Sequence, residues 1–155
     1  REDQQKEKQF QGMGLIKDQF LNVGPMGGIL SAMKEYPEAN WMVVACDMPY
    51  LNGQSLKQLV EQRNSLKIGT CFITQEKGWP EPLCTIYEKK SFPRLLQFLG
   101  LGFSCPRKAL FNSEVHCLTP DFPMALTNVN EPRDFEQAVK FIENKKKTGD
   151  DYYAS

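Results

Sequence analysis

The sequence has 155 residues, the length of one ordinary domain, and its 41% hydrophobic and 25% charged content is typical of globular proteins. Basic and acidic residues both number 19, so the zero net charge gives no electrostatic case for nucleic acid or an anionic membrane as partner. The apolar runs are too short to span a bilayer. Five cysteines without CxxC spacing indicate free thiols, no zinc site and a reducing compartment, so we expect a cytoplasmic protein.

Hydrophobic spacing along the chain predicts alternating strands and helices. The polar segment 2–10 favours a helix, and the clearest helix is 131–147, with Phe135, Val139 and Ile142 on one face. The remaining predicted helices are 29–36, 55–63, 92–102 and 105–112, and the predicted strands are 15–18, 41–47, 66–74, 83–88, 114–119 and 125–130.

This alternation predicts an α/β domain over residues 1–147, with a loose tail at 148–155. The run WMVVACD at 41–47 shows no polar alternation, so we expect a strand buried on both faces, as in a parallel sheet. The prediction is therefore a mostly parallel sheet that helices cover on both sides.

Two predicted strands end on a carboxylate, Asp18 after LIK and Asp47 after WMVVAC. In open α/β sheets, ligands bind outside the carboxyl ends of the strands. A carboxylate beside an apolar strand needs a partner, and Mg²⁺ binds one or two such groups together with water and phosphate. The alternative is that each aspartate caps the turn that follows it.

Three other features can be interpreted either as ligand-binding or as purely structural. GPMGG, beginning at Gly24, is a glycine loop that opens a helix, which suits close approach of a ligand or an ordinary tight turn. Asn128 and Asn130 in NVN point to the same side of a strand, although Asn130 is also suited to cap the next helix. Trp79 lies in the turn GWPEP, where it belongs to the turn or flanks a ligand.

In order, the segments LIKD, GPMGG-ILSAM, VVACDMPYL, EPLCTIY and NVNEPRDF resemble the molybdenum cofactor guanylyltransferases, within the wider group of Rossmann-like nucleotidyltransferases. The most specific segment is ACDMPYL after the hydrophobic strand. The resemblance covers residues 14–142. It implies a Rossmann-like three-layer α/β/α fold.

The resemblance also implies a reaction, in which GMP passes from GTP to the terminal phosphate of molybdopterin or the molybdenum cofactor and pyrophosphate is released. Asp47 would hold Mg²⁺ against the nucleotide phosphates, and Asp18 and Gly24 would bind the nucleotide. Asn128 and Asn130 would lie on the metal and acceptor side. Molybdoenzyme assembly proteins are further candidate partners. The alternatives are a molybdopterin cytidylyltransferase and a non-catalytic nucleotide-binding or regulatory module.

The sequence departs from the family at its start. The family begins with a strand and a phosphate-binding loop of the form LAGGxSxRMGxDK, and these 155 residues contain no such segment. We therefore expect a sheet that is N-terminally incomplete relative to the family, with exposed apolar edges, and a chain that is inactive alone. Two explanations stay open: the true protein is longer, or another chain completes the site.

Overall fold

The structure is a computed structural model, which describes residues 14–147. Helices and strands alternate along this part of the chain. Its helices are α1 (Pro25–Glu35), α2 (Gly53–Glu61), α3 (Phe92–Gly100), α4 (Pro106–Phe111) and α5 (Pro132–Lys147), with two short 3₁₀ helices at Lys89–Ser91 and Pro123–Leu126. Its strands are β1 (Trp41–Val44), β2 (Gly69–Ile73), β3 (Pro80–Tyr87) and β4 (Val115–Leu118).

The four strands form one sheet in the order β1-β3-β2-β4. Strand β3 pairs antiparallel with both β1 and β2, whereas β2 and β4 are parallel. Three strands therefore run in one direction and β3 runs against them, which confirms a mixed α/β sheet whose strands mostly share one direction. The six residues between β2 and β3 explain the reversal, because a parallel neighbour needs a longer crossover connection.

Helices cover both faces of the sheet, so the predicted three layers are present. One face packs against α1, α3 and α4, through the buried cluster Met26, Ile29, Leu30, Met33, Tyr87, Leu95, Phe98, Ala109 and Leu110. The other face packs against α2 and the segments after β1 and β4, through the buried cluster Met48, Leu51, Leu59, Phe72, Cys84, Ile86, Leu118 and Ala125.

Two predicted strands are wrong. Residues 15–18 form no strand. Directly after them the Gln19 N–H donates to Ser31 Oγ of α1 at 2.8 Å, so the chain is held against α1 here and not against the sheet. Residues 125–130 begin inside the 3₁₀ helix Pro123–Leu126, where the Ala125 N–H donates to the Phe122 carbonyl, and continue as irregular chain. Neither segment joins the sheet.

The prediction that β1 is buried on both faces is wrong. Its residues alternate between half-buried and exposed, with Met42 37% and Val44 43% exposed. Among the described residues β1 pairs only with β3 and lies at the edge of the sheet. Within residues 14–147 no second strand flanks β1, and the cluster under α1 covers only the face that carries Trp41 and Val43.

Helix α5 has the predicted length but another buried face. Phe135 is 62% exposed and Val139 is also exposed, while Ala138 is buried. The ring of Phe141 packs edge-on against Tyr50, with centroids 5.3 Å apart. Apolar residues occur on two adjacent stripes of this helix, and the sequence pattern selected the wrong one.

The remaining expectations concern membranes and the two ends of the chain. No helix within residues 14–147 is both long and apolar enough to cross a bilayer. The predicted helix at 2–10 and the tail at 148–155 lie outside the described residues.

Candidate active site

Asp47 lies in the turn that follows β1, at the carboxyl end of that strand, as predicted. Its Oδ1 atom is buried and has no hydrogen-bond partner among the described residues. A turn-capping role would require this oxygen to accept a backbone N–H, so Oδ1 does not support the capping alternative. A buried carboxylate oxygen without a donor is unfavourable unless a cation or another ligand compensates it.

The NVN segment comes to the same place. The Val129 N–H donates to the Asp47 carbonyl oxygen at 2.9 Å, across 82 positions of sequence (129 − 47). This hydrogen bond places Asn128 and Asn130, both exposed, on either side of the residue that contacts the Asp47 turn. The structure therefore brings together three of the predicted site residues.

Asn130 is not the helix cap that the sequence also allowed. Helix α5 begins at Pro132, so Glu131 occupies the capping position, and its N–H donates to Asp134 Oδ2 at 3.3 Å. The Phe135 N–H, in turn, donates to the Glu131 carbonyl oxygen at 3.1 Å. The Asn130 side chain is exposed just before this helix start.

The GPMGG segment forms the start of α1 itself, with Pro25 as the first helical residue. Gly24 has φ 59° and ψ −146°, a backbone conformation that only glycine adopts readily. A Cβ on Gly27 would lie 2.3 Å from the Phe20 carbonyl oxygen. Two of the three glycines are thus required by the local backbone.

Gly28 is different, because packing does not require it to be a glycine. A Cβ there would lie 3.8 Å from Asp18 Oδ1, an ordinary contact distance. Asp18 and Gly28 are both exposed, so a carboxylate stands beside the bare first turns of a helix. Free N–H groups at such a helix start attract negative or acceptor groups of a ligand.

Topology directs this helix start toward the same end of β1 as Asp47. Helix α1 packs on the sheet and connects to β1 through residues 36–40 alone, so its last turn lies at the beginning of β1. The first turn of α1 consequently lies toward the carboxyl end of β1, where Asp47 is found. The predicted site residues form two groups at one edge of the sheet, one around Gly24 and Asp18 and one around Asp47 and the asparagines.

A cavity of about 390 Å³ adjoins the second group. Asn128 lines it together with Thr74, Lys77, Trp79, Glu81 and Arg107. Sequence reasoning assigned no role to Glu81 and Arg107, although EPLCTIY contributed to the family resemblance. They come from separate elements, so only the fold reveals that they meet.

The Glu81 carboxylate is buried, only 4% exposed, and is fully engaged. Its Oε2 accepts from Arg107 Nη2 at 2.7 Å, and its Oε1 accepts from the Leu83 N–H at 3.1 Å. Arg107 Nε also donates to the Pro80 carbonyl oxygen at 3.2 Å. These contacts fix the guanidinium as one wall of the cavity.

The donor set around Asp47 fits a hard cation that a ligand brings with it. Among residues 14–147 no group of three or more histidine, cysteine, aspartate or glutamate side chains could enclose a metal ion. A single carboxylate oxygen suits Mg²⁺, which takes one or two protein carboxylates and leaves its other positions to water and phosphate. The buried, unpartnered Oδ1 of Asp47 is the atom available for that role.

Comparison with known proteins gives consistent relatives. The model of the MobA-like NTP transferase domain family matches residues 1–114. A molybdenum cofactor biosynthesis bifunctional protein of Synechocystis sp. is 33% identical over 134 residues, which cover 83% of this chain and 39% of that protein. A probable molybdenum cofactor guanylyltransferase of Nostoc sp. is 29% identical over 113 residues, 72% of this chain and 54% of that protein.

The fold has a counterpart among solved structures. A molybdopterin-guanine dinucleotide biosynthesis protein A from Archaeoglobus fulgidus superposes with a TM-score of 0.61 and 19% identity, over 78% of this chain and 64% of that one. At this identity the match shows the fold alone. This chain thus spans less than two thirds of each of these three proteins. Since the family model matches well over half of its residues, the chain belongs to the MobA-like NTP transferase domain family.

Proposed function

We propose that this chain carries the metal and acceptor side of a guanylyltransferase site, in which GMP passes from GTP to molybdopterin or the molybdenum cofactor. An acceptor phosphate oxygen forms a bond to the α-phosphorus, the α–β phosphoanhydride bond breaks, and pyrophosphate leaves. The observation that carries the proposal is the buried, unpartnered Asp47 Oδ1 beside the NVN segment. The name of the Nostoc relative supports guanine as the base.

Asp47 would hold Mg²⁺, which neutralises charge on the transferring phosphates when bound. The Val129–Asp47 hydrogen bond holds the Asp47 turn and the asparagines in a fixed relation. Asn128 and Asn130 contribute amide groups that orient phosphate oxygens on the acceptor side. Positioning and electrostatic compensation of this kind supply most of the catalysis in phosphoryl transfer.

Asp18 and the start of α1 would bind the nucleotide. The positive φ of Gly24 and the bare surface at Gly28 let the ligand approach the backbone N–H groups of the helix. Asp18, 3.8 Å from the Cβ position of Gly28, accepts hydrogen bonds from donor groups on the sugar or base. The acidic side chain is unsuited to phosphate, so it directs the nucleoside part of the ligand to this end.

Two further parts of the proposal concern the conditions of the reaction. The protein works in the cytoplasm, in keeping with five free thiols. The transfer depends on Mg²⁺, which Asp47 would hold. An assay with GTP and molybdopterin in the presence and absence of Mg²⁺ tests the second statement, and equal turnover in both would refute it.

Asp47→Asn in the full-length gene product tests the site. The change removes the charge without changing the volume, so we expect turnover to fall at least about a hundredfold, because metal-based charge compensation is lost. The melting temperature should stay equal or rise, since the buried Oδ1 has no native partner to lose among the described residues. Pyrophosphate release measures turnover, and circular dichroism measures folding.

The control is Asp121→Asn, which changes an exposed aspartate in the segment after β4. Its Oδ1 accepts from Gln58 Nε2 at 3.2 Å, and an amide oxygen can accept the same hydrogen bond. It should leave turnover within about threefold of the unchanged protein. Near-normal activity of Asp47→Asn would contradict the metal role, and loss of the fold would support a structural role for the carboxylate. The same assay with CTP in place of GTP decides the base, and a preference for CTP contradicts the guanylyl assignment.

A further inference from the structure

Trp79 is a large aromatic side chain that the fold holds at the surface. It precedes β3 in the turn after β2 and is 43% exposed. The Thr74 N–H donates to the Trp79 carbonyl oxygen at 2.8 Å, and the Trp79 N–H donates to Thr74 Oγ1 at 3.3 Å. Two hydrogen bonds between Thr74 and Trp79 therefore close the turn. The indole belongs to neither buried cluster. The exposed part of the indole is open to contact with a ligand.

The indole stands between two cavities. The polar cavity, about 390 Å³, reaches from Trp79 to Asn128. The second cavity, about 370 Å³, has a mainly apolar lining that includes Trp79, Phe111 and Lys108. Arg107 borders both cavities. Their sizes lie in the range of small-molecule sites.

Planar side-chain groups lie around the indole, where the two cavities meet. The ring of Phe111 meets the indole edge-on, with centroids 6.5 Å apart at 66°. Lys77 Nζ lies 5.1 Å from the indole centroid, and the Arg107 guanidinium is held by Glu81. Lys77 is exposed on a flexible stem, so a ring can displace it at little cost. An indole and a fixed guanidinium form a surface on which a flat heterocycle can stack.

The charge balance indicates which part of a ligand belongs here. Glu76 and Glu81 face Lys77 and Arg107 around the polar cavity, so its lining has donors and acceptors but no net charge. A free phosphate gains little in such a cavity. An uncharged heterocycle with amino and carbonyl groups is better matched. The phosphate of the same molecule would lie at the other end, near Asn128 and the Asp47 turn.

We propose that Trp79 is a specificity-determining residue for the acceptor, and that its indole stacks on the flat heterocycle of a pterin phosphate whose phosphate lies at Asn128. This inference rests on the proposed function, since it takes the acceptor from there. It adds the position of the ring, the residue that selects it and the orientation of the acceptor along the cavity.

The experiment is a direct binding measurement with the full-length gene product. The probe is a fluorescent pterin that carries a phosphomonoester on its side chain, and its anisotropy reports binding without turnover. Trp79→Ala should weaken binding about tenfold, in keeping with stacking of a base on an aromatic ring. Trp79→Phe should restore most of the affinity, to within about threefold of the unchanged protein, because the phenyl ring can still stack.

Tyr36→Ala is the matched control, since it removes an exposed ring at the far end of α1. It should leave pterin affinity unchanged. Equal affinity of Trp79→Ala and the unchanged protein overturns the inference, as does absence of pterin binding by the unchanged protein. A loss of GTP affinity equal to the loss of pterin affinity overturns it too, because the ring would then belong to the nucleotide.

The two proposals can fail separately. Trp79-dependent pterin binding without GTP-dependent transfer supports the acceptor site and contradicts the proposed reaction. Transfer that proceeds with unchanged acceptor KM in Trp79→Ala supports the reaction and overturns the role of Trp79.

Discussion

At the scale of single residues, the two adjacent glycines of GPMGG have opposite requirements. The Gly27 Cα faces the Phe20 carbonyl oxygen so closely that any side chain would collide with backbone. Gly28, one position later, has room for a methyl group beside Asp18. Sequence reasoning identified the glycine loop but could not separate these roles, because they depend on a contact between the helix and the chain before it.

Alanine substitutions at these positions should therefore change stability in opposite directions. Gly27→Ala should lower the free energy of unfolding by about 1–3 kcal/mol, because its Cβ would lie 2.3 Å from the Phe20 oxygen. Gly28→Ala should raise it by about 0.5–1 kcal/mol, since alanine favours the helix. Urea unfolding followed by circular dichroism measures both. If the two variants had the same stability, the close contact at Gly27 would be absent in solution.

At the scale of elements, the helices were the most predictable part of the fold. The apolar spacing of α2 and α3 gave both helices to within about two residues, because an amphipathic helix carries its burial pattern locally. The direction of β3 was harder to predict from the sequence, because the residues of a strand do not show which strand it pairs with. The one local indication of an antiparallel pair was the short connection between β2 and β3, which the sequence predicts to be a turn.

Helix α2 also shows how an element supports the site. It starts directly after the segment that follows Asp47, and the Asn52 Oδ1 accepts from the Ser55 N–H at 2.9 Å. Asn52→Ala should cost about 1 kcal/mol of stability, because the first turn loses its cap. Gln54→Ala, an exposed change in the same turn, should stay within about 0.5 kcal/mol of the parent. Thermal unfolding compares them, and equal melting temperatures would exclude a stabilising cap.

At the scale of the whole molecule, the sequence predicted the layers and the strand end at which the candidate site lies, but not which distant residues contact each other there. Only the family resemblance predicted that Asp47 and the NVN segment belong to one site, because 82 positions separate Val129 from Asp47. Glu81 and Arg107 had no local pattern to mark them as a pair. Interactions between distant segments of this kind follow from the fold, whose packing brings them into contact.

Strand β3 contributes buried titratable side chains to both hydrophobic clusters. The pH dependence of the free energy of unfolding therefore reports on both clusters. Cys84 belongs to the cluster under α2, and Tyr87 belongs to the cluster under α1. Burial raises the pKa of the Cys84 thiol to about 12, with a further contribution from the Glu81 carboxylate. Burial also raises the pKa of Cys71 and of Tyr87 above their ordinary values.

These raised pKa values predict that the protein loses stability in alkaline solution. The unfolded thiol titrates near pH 9.0, so above that pH the unfolded state releases protons that the folded state keeps. The free energy of unfolding should fall by about 1–2 kcal/mol per buried thiol between pH 9 and pH 10.5. Cys84→Ala should show a shallower fall than the parent, whereas Cys105→Ser, which changes an exposed thiol, should reproduce the parental slope. Urea titrations at a series of pH values measure the slopes, and identical slopes for the parent and Cys84→Ala would show that this thiol ionises freely in the folded protein.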